Sequence, residues 1–406
     1  MNTRSIKGIT NLGQWVSWNP ESQTMEIHEG GTWMIQEGVF KEFSSKSYSD
    51  TSFLDAQGKL LTPGLIDPHT HPAFAATREQ EFVMRAQGKS YQEIAAAGGG
   101  IKSSVHHLRR IEESDLTDLI QSRLGQMLLH GTTTVECKSG YGLETAAELK
   151  SLRAIRSAAE KVPLRALATF LGAHEIPAEF QDQRSEYVEL LVNEMIPQVT
   201  DQKLAQFCDV FCEEGVYTTQ ETEQILSAAQ KHGLGLRFHA DEFVSTGGAE
   251  LAAKLGALSA DHLMAISDEG IQALANSETV GILLPGTTFF LGSNTWAPAR
   301  KMIDAGVTVA LASDFNPGSN MSFSLPFVMT LAVIYLKMTA LEALEATTIG
   351  AAKSLGEQHR LGAIASGYAA DAVLWDLDNY IQIPYFYGVN QVGSVVAAGQ
   401  LISSDI

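Results

Sequence analysis

Two histidines one residue apart, in the segment Asp67-Pro68-His69-Thr70-His71, are the strongest chemical pattern in this sequence. In an extended chain residues i and i+2 point to the same face, so both imidazoles can reach one point in space. Imidazole nitrogen is a common ligand of zinc and iron, and the spacing therefore fits two ligands of one metal ion. Two polar loop histidines are the alternative interpretation. The strand-like run at 61–66 favours the metal site, because a barrel keeps its active site at the carboxyl ends of its strands.

Other residues capable of metal binding or proton transfer follow short apolar runs further along the chain. His174 follows 167–171, His239 follows 236–238, His262 follows a run that ends at Ala260, and Asp314 follows 309–312. Each of them alone would more often be structural. Four strand ends that each deliver a histidine or an aspartate predict a shared site on one face of a barrel. The histidines in helical or surface contexts receive no role: His28, His106, His107, His130, His232 and His359.

A frame of strands alternating with helices is needed to bring these residues together, and the middle of the chain has that pattern. Roughly eight short β-like runs alternate with helical patterns over residues 62–362. One helix is expected at 144–161, and another begins with the capping box Thr218-Thr219-Gln220-Glu221. This order predicts an α/β fold with a TIM (β/α)8 barrel. The lack of an early Gly-x-Gly-x-x-Gly turn argues against a doubly wound open sheet.

The two ends of the chain differ from the middle. Short apolar runs alternate with polar ones near both termini, as at 15–18, 33–35, 372–375 and 393–397. Because chain termini often lie close together, the two segments can pair with each other. We expect residues 1–61 and 363–406 to form one small β-sandwich domain, and residues 62–362 to form the barrel.

The composition limits the classes of partner. The 406 residues carry 47 acidic and 28 basic side chains, and the formal net charge of −19 repels nucleic-acid phosphates and anionic lipid. The N-terminal segment lacks the apolar core of a secretion signal, and no apolar run is long enough to span a membrane. Cys137, Cys208 and Cys212 do not form a disulfide framework and are expected to be buried thiols. We therefore expect a cytoplasmic protein that binds neither nucleic acid nor membranes.

The His-x-His pair after the first predicted strand, the histidines after the fifth and sixth, and the aspartate after the eighth resemble the amidohydrolase superfamily. The lead-in Pro63-Gly64-Leu65-Ile66-Asp67 and the late segment Gly367-Tyr368-Ala369-Ala370-Asp371-Ala372-Val373 are similar to the same superfamily. The resemblance implies one divalent ion, zinc or iron, with the ligands His69, His71, His239 and Asp314. A second metal would require a carbamylated lysine at the fourth strand end, and no lysine stands there. Lys138 follows the second strand and is interpreted as a loop or supporting residue.

Longer segments resemble the imidazolonepropionase family, and this resemblance extends over nearly the whole chain. The matching segments are Thr77-Arg78-Glu79, 95–101, 138–143, 172–175, His239-Ala240-Asp241-Glu242 and 314–319. Ala76, where a glycine is expected, and Ser319, where threonine is also common, are conservative departures. The resemblance implies hydrolysis of 4-imidazolone-5-propanoate to N-formimidoyl-L-glutamate in histidine degradation, by attack of a metal-activated water on the ring amide. It also implies a homodimer.

Residue roles follow from the same resemblance. The acid/base set that it implies consists of Glu242, His262 and Asp314. The substrate-binding residues that it implies are Arg78, Tyr91, Tyr141, His174, Glu242, Asn316, Gly318 and Ser319. Arg78 supplies the cation that the propanoate requires in an acidic chain, since an arginine fork holds a carboxylate through two hydrogen bonds. Backbone N–H groups of the turn at 316–319 could form a cradle for an anion.

Two other functions remain open at this point. Another mononuclear amidohydrolase, such as a purine or pyrimidine aminohydrolase, would share the metal ligands and release ammonia, but it would not need Arg78. A non-catalytic scaffold protein of the same fold would have lost metal ligands, and this chain retains all four. The hydrolase of imidazolone propanoate therefore ranks first and the scaffold last.

Overall fold

The computed structural model of the protein describes residues 2–89, 93 and 98–403. Its strands are numbered in chain order. The first eight are β1 (Asn2–Ser5), β2 (Gly8–Thr10), β3 (Gln14–Asn19), β4 (Thr24–Glu29), β5 (Thr32–Gln36), β6 (Val39–Ser44), β7 (Phe53–Asp55) and β8 (Leu61–Pro63). The next eight are β9 (Leu65–Asp67), β10 (Thr132–Lys138), β11 (Arg165–Ala173), β12 (Phe207–Cys212), β13 (Gly235–Ala240), β14 (Ser259–His262), β15 (Val280–Leu283) and β16 (Val309–Leu311). The last three are β17 (Ala372–Trp375), β18 (Val392–Ala397) and β19 (Gln400–Ser403).

Helices separate most of the strands from β9 to β17. The α-helices span Glu79–Ala86, Ile101–Arg110, Glu113–Leu129, Thr145–Ala159, Arg184–Leu190, Ile196–Asp201, Thr219–Lys231, Gly248–Leu255, Asp268–Ala275, Pro285–Phe290, Ala299–Asp304, Leu325–Tyr335, Ala340–Ala346, Ile349–Ser354 and Gln382–Tyr385. A 3-10 turn lies at Ala178–Phe180, and a π-helical turn lies at Leu191–Met195. The predicted capping box is confirmed, because Thr218 accepts from Glu221 N while the Glu221 side chain accepts from Thr218 N.

Strands β9 to β16 form the predicted barrel. They are neighbours in sequence order, and each neighbouring pair is parallel. The two end strands, β9 and β16, meet just beyond their carboxyl ends, where His71 N donates to Phe315 O (2.9 Å) and Asp314 N donates to His69 O (3.0 Å). The TIM (β/α)8 fold is therefore confirmed, and main chain next to the expected metal ligands closes the barrel.

Asp67 stabilises this closing seam. Its carboxylate is fully buried and accepts hydrogen bonds from Ser313 N (3.0 Å) and Ser313 Oγ (2.5 Å). Burial raises the pKa of Asp67 to about 7, although the bonds from Ser313 oppose the shift. Asp67 therefore joins the start of the His-x-His segment to the segment that carries Asp314.

The terminal segments join into a two-sheet unit, as predicted. A seven-stranded sheet has the order β1-β19-β18-β17-β8-β3-β4, and a four-stranded sheet has the order β6-β5-β2-β7. Strand β1 pairs with β19 and β8 pairs with β17, both antiparallel, so the two ends of the chain share one sheet. Residues from both sheets pack into one apolar cluster that includes Ile9, Trp15, Trp33 and Val396. The domain boundaries stated above stay a prediction.

Two expectations drawn from the composition can be compared with the structure. Cys137, Cys208 and Cys212 are free and buried, as expected. In the described residues, no helix combines the length and the apolar character that a bilayer crossing requires.

Candidate metal centre

Five side chains meet at the carboxyl ends of the barrel strands. His69 and His71 lie just beyond β9, His239 lies within β13, His262 ends β14, and Asp314 follows β16. His71 Nε2 lies 3.2 Å from His69 Nε2 and 3.3 Å from Asp314 Oδ1. Two sets of three potential ligand atoms share His69, and within each set the atoms lie within 4.8 Å of one another. One set comes from His69, His71 and Asp314, and the other comes from His69, His239 and His262. The structure thus brings the four expected ligands together and adds His262 to them.

The chemistry of these side chains fits a divalent metal ion. Burial, followed by the charges of neighbouring groups, lowers the pKa of His69 and His71 well below the usual value, so both imidazoles are neutral at pH 7. His71 Nδ1 and both ring nitrogens of His262 are buried without a hydrogen-bond partner among the described residues. Neutral imidazoles beside the carboxylate of Asp314 are a ligand set that zinc and ferrous iron both accept.

Two buried aspartates lie beside the Nδ1 atoms of histidines in this cluster, and one of them is hydrogen-bonded there. Asp261 Oδ2 lies 2.6 Å from His69 Nδ1, and Asp209 Oδ2 lies 3.1 Å from His239 Nδ1. A carboxylate at Nδ1 favours the tautomer that carries its proton there, which leaves the Nε2 lone pair for a metal ion. Neither aspartate was predicted from the sequence. The pattern that could have predicted them is an acidic residue inside an apolar strand. An aspartate there is rarely buried without a partner, and both of these carboxylates are fully buried.

Charged side chains of both signs fill the barrel interior next to the cluster. The fully buried members are Glu136, Lys138, Asp209, Arg237 and Asp261. Lys138 Nζ donates to Glu136 Oε1 (2.8 Å) and to Asp209 Oδ2 (2.7 Å). Burial alone would lower the pKa of Lys138, but Asp209 and Glu136 outweigh it and raise that pKa above the usual value. Lys138 is the last residue of β10 rather than a loop residue, and it supports the cluster from inside the barrel.

Tyr141 and His174 form one wall of the cluster. The His174 ring stacks on the His71 ring, with centroids 5.3 Å apart and planes at 22°. His174 Nδ1 donates to Gly140 O (2.9 Å), so its Nε2 carries no proton while the ring is neutral. The Tyr141 ring lies 5.3 Å from the His174 ring and 6.2 Å from the His71 ring. Both expected pocket residues therefore border the expected metal ligands.

Arg78 lies against the turn that contains Gly318. A Cβ atom at Gly318 would lie 2.5 Å from Arg78 Nη1, so the guanidinium rests on this glycine. Within the turn, Gly318 N and Ser319 N each donate to Asn316 Oδ1 at 2.8 Å. These N–H groups are thus engaged inside the turn, which differs from the free anion cradle expected above. Tyr91, the remaining expected pocket residue, lies outside the described residues.

Glu242 and His262 are neighbours at the edge of the cluster. Glu242 Oε1 lies 3.7 Å from His262 Nδ1. Burial, then the charges of Asp314 and Glu213, raise the pKa of Glu242 well above the usual value. His262 and Asp314 have φ angles of +79° and +52°, in the left-handed region that few residues other than glycine adopt. Such backbone strain is typical of active sites, where the surrounding structure maintains it.

A parallel barrel whose strand ends gather neutral imidazoles and a carboxylate around one point is the architecture of a metal-dependent amidohydrolase. The sequence profile of the amidohydrolase family matches residues 60–402 of this chain. The chain belongs to that family.

Its place within the family follows from named relatives. The imidazolonepropionase of Shouchella clausii (strain KSM-K16) is 49% identical over 89% of this chain and 81% of its own length. The imidazolonepropionase of Bacillus velezensis (strain DSM 23117 / BGSC 10A6 / LMG 26770 / FZB42) is 44% identical over 98% of this chain and 96% of its own. Within the amidohydrolases, the chain is therefore a member of the imidazolonepropionase group.

A solved structure of a different amidohydrolase shares the fold. The adenosine deaminase from Xanthomonas campestris with bound zinc has a TM-score of 0.70 against this chain, at 20% identity. The match covers 97% of this chain and 92% of the deaminase. At this identity the likeness concerns the fold alone.

Proposed function

We propose that the protein hydrolyses 4-imidazolone-5-propanoate to N-formimidoyl-L-glutamate, a step of histidine degradation. Relatives named imidazolonepropionase that align with most of the chain support this function. The structural observation that carries it is the position of Arg78, a cation that lies against the Gly318 turn next to the Asp314 ligand segment. A carboxylate anchor beside a hydrolytic centre suits a cyclic amide that bears a propanoate side chain.

His69, His71, His239 and Asp314 would hold one divalent ion, zinc or iron. When bound, such an ion supplies a Lewis acid that polarises the ring carbonyl and lowers the pKa of a water molecule toward neutrality. Asp261 bonds His69 Nδ1, so this ligand is oriented by the protein itself, and Asp209 Oδ2 lies 3.1 Å from His239 Nδ1.

The reaction adds one water molecule across the ring C–N bond. A bond forms between the water oxygen and the carbonyl carbon, the bond from that carbon to the ring nitrogen breaks, and a proton moves from water to this nitrogen. We assign the proton transfers to Glu242, His262 and Asp314. A carboxyl and an imidazole 3.7 Å apart, as in Glu242 and His262, can hold and pass a proton at the edge of the cluster.

The remaining expected residues would bind the substrate. Arg78 would hold the propanoate, and Tyr141 and His174 would contact the ring from the wall they form. Asn316, Gly318 and Ser319 form the turn on which Arg78 rests, and Glu242 would contact the leaving nitrogen. Tyr91 keeps the substrate-binding role that the family resemblance implies. The homodimer and the cytoplasmic location stay predictions.

A purine or pyrimidine aminohydrolase is the second candidate, because it would use the same metal ligands. It releases ammonia, whereas ring opening of the imidazolone does not. The test is to add 4-imidazolone-5-propanoate to metal-replete and to chelated protein, and to follow ring absorbance and ammonia together. Loss of absorbance without ammonia, only in the metal-replete sample, is expected. Unchanged absorbance in the metal-replete sample, or release of ammonia with the loss of absorbance, would overturn the proposal.

A further inference from the structure

The guanidinium of Arg78 already has a carboxylate partner. Arg78 Nε donates to Glu81 Oε1 (2.7 Å), and Arg78 Nη2 donates to Glu81 Oε2 (2.6 Å). The two residues lie one turn apart at the start of the helix Glu79–Ala86, and the Glu81 side chain is 8% exposed. A guanidinium can bind carboxylates along two edges, and Glu81 occupies the edge formed by Nε and Nη2. Among the described residues no hydrogen-bond partner occupies the edge formed by Nη1 and the second hydrogen of Nη2, and this edge is the one that a ligand can use.

Glu81 is itself fixed from a second direction. Its Oε1 also accepts a hydrogen bond from Gly100 N at 2.8 Å, immediately before the helix Ile101–Arg110. The carboxylate therefore receives three N–H groups from two separate segments of the chain. Because it is held on both sides, it can hold Arg78 in one orientation rather than follow the side chain.

The opposite side of the guanidinium is confined by Gly318. A Cβ atom at this position would lie 2.5 Å from Arg78 Nη1 and 2.9 Å from Cζ, so only glycine leaves the present space. The charge of Arg78 also reaches the Tyr141 hydroxyl, where it partly offsets the burial that raises the pKa of Tyr141. Arg78 thus lies within electrostatic range of Tyr141, which belongs to the wall of the candidate site.

We infer that Glu81 is a positioning residue that binds one edge of Arg78 and aims the other edge at the carboxylate of the substrate. This inference rests on the proposed function. The Arg78–Glu81 pair itself carries no net charge, and Arg85 adds one positive charge within electrostatic range of both residues, so recognition depends on the direction of two N–H groups in addition to that charge. Glu81 and Gly318 together would then select substrates whose carboxylate arrives at one place and in one plane.

Removal of the Glu81 charge distinguishes attraction of the substrate from orientation of Arg78, because the two effects change the affinity for substrate in opposite directions. Glu81→Gln leaves Arg78 with an uncompensated positive charge, which should strengthen attraction of any anion. It also removes the two-point hold, so the guanidinium can rotate away from the productive direction. If orientation dominates, KM for 4-imidazolone-5-propanoate rises and kcat/KM falls by about tenfold, the effect of losing one charge-assisted hydrogen bond. A lower KM would overturn the inference.

Glu79→Gln is the matched control, since it makes the same chemical change two residues away. Glu79 is exposed, accepts a hydrogen bond from Thr77 Oγ1, and lies in the same first helical turn. We expect it to leave KM and kcat unchanged. An analogue with a propyl group in place of the propanoate should show little difference between wild type and Glu81→Gln. Equal losses with both substrates would mean that Glu81 only maintains the fold, and the inference would fail.

Two further variants keep the test informative if Glu81→Gln folds poorly. Gly318→Ala should raise KM for the propanoate substrate alone, because the new methyl group displaces Nη1 without removing a buried charge. In an Arg78→Met background, Glu81→Gln should have no additional effect on kcat/KM, since the group it positions is gone. Additive losses would contradict the inference. Wild-type protein that does not hydrolyse the imidazolone at all would overturn the proposed function itself.

Discussion

The imidazoles of the candidate metal centre differ in how firmly the protein holds them. His69 and His239 each have a buried carboxylate at Nδ1, at 2.6 Å and 3.1 Å. Of these two contacts, the one at His69 is a hydrogen bond, whereas His239 Nδ1, like His71 Nδ1 and both ring nitrogens of His262, has no hydrogen-bond partner among the described residues. His69 is therefore oriented before any ion binds, which reduces the ordering that binding requires.

The first prediction concerns His239→Ala. The substitution removes one of four expected ligands, so metal content after dialysis and hydrolytic activity should fall together. Metal analysis and the absorbance assay measure the two effects. His232→Ala is the control, because His232 is an exposed histidine after the helix Thr219–Lys231, and it should retain both properties. Full activity of His239→Ala without bound metal would contradict the metallohydrolase proposal.

The second prediction concerns the pH dependence of stability in the chelated protein. Burial lowers the pKa of His262 to about 3, whereas an unfolded histidine has its usual value near 6.5. Between these values the unfolded chain binds a proton that the folded chain does not, so stability is lost as pH falls through this window. His262→Asn lacks this loss. Its stability relative to wild type should improve by about 1.4 kcal/mol per pH unit below pH 6.5.

Denaturant unfolding of chelated wild type and His262→Asn at pH 7.5, 6 and 5 measures this difference. Both proteins share the remaining titrating groups, so their contributions cancel in the comparison. A gap that does not change with pH would mean that His262 titrates normally in the folded protein.

At the scale of the elements, three alternate strands supply four of the five buried charges of the barrel interior, and β13 supplies the fifth, Arg237. Glu136 and Lys138 come from β10, Asp209 comes from β12, and Asp261 comes from β14. Side chains of alternate strands share a layer in this type of barrel, so Lys138 reaches Asp209 across the interior although β11 separates their strands. The layer thus connects the strand that carries Lys138 to a carboxylate that lies beside His239.

The third prediction is that Lys138→Met destabilises the protein by about 3–5 kcal/mol, since Glu136 and Asp209 lose the cation that bonds both of them, and Arg237 Nε lies no nearer than 3.8 Å to Glu136 Oε1. Metal affinity should fall as well, because Asp209 loses the bond from Lys138 that fixes its position beside His239. Denaturant midpoints and a competition titration with a chelator measure the two effects. Lys161→Met is the control, because Lys161 is half exposed and its ion pair with Asp118, at 3.6 Å, lies at the surface. A Lys138→Met protein as stable as this control would contradict the role of Lys138 in stabilising the buried carboxylates.

Local patterns were sufficient to predict the strand ends and most of the expected ligands. The runs before His239, His262 and Asp314 are apolar and short, and parallel strands necessarily end on one face of the barrel. The pairing of the chain termini was predictable for a similar reason, since both ends carry half-buried β patterns. These signals need no knowledge of distant contacts.

The supporting residues could not be predicted, because their meaning depends on contacts between distant segments. Asp261 orients His69, which lies 192 residues earlier in the chain. Glu81 three residues after Arg78 looks like an ordinary surface ion pair, and only burial and the bond from Gly100 distinguish it. Gly318 N and Ser319 N bond to the side chain of Asn316, and this depends on the Asn316 rotamer, which cannot be predicted from the sequence pattern.

At the scale of the whole molecule, the charge of the protein opposes that of its proposed substrate. The chain has a formal net charge of −19, and the substrate carries a carboxylate. The charge of Arg78 is matched by Glu81 at 2.6 Å, so Arg85 leaves this cluster with one net positive charge, which is small beside the charge of the whole chain. An approaching anion therefore meets a repulsive field until it reaches hydrogen-bonding distance of the pocket.

The last prediction follows from this opposition. The Debye length falls from about 30 Å at 0.01 M ionic strength to about 8 Å at 0.15 M, so added salt screens long-range repulsion much more than contacts within the pocket. Over that range kcat/KM for the propanoate substrate should rise, by no more than about tenfold. The propyl analogue is the control and should show no salt dependence. A fall of kcat/KM with salt would mean that attraction by the pocket extends beyond the protein surface and outweighs the net charge.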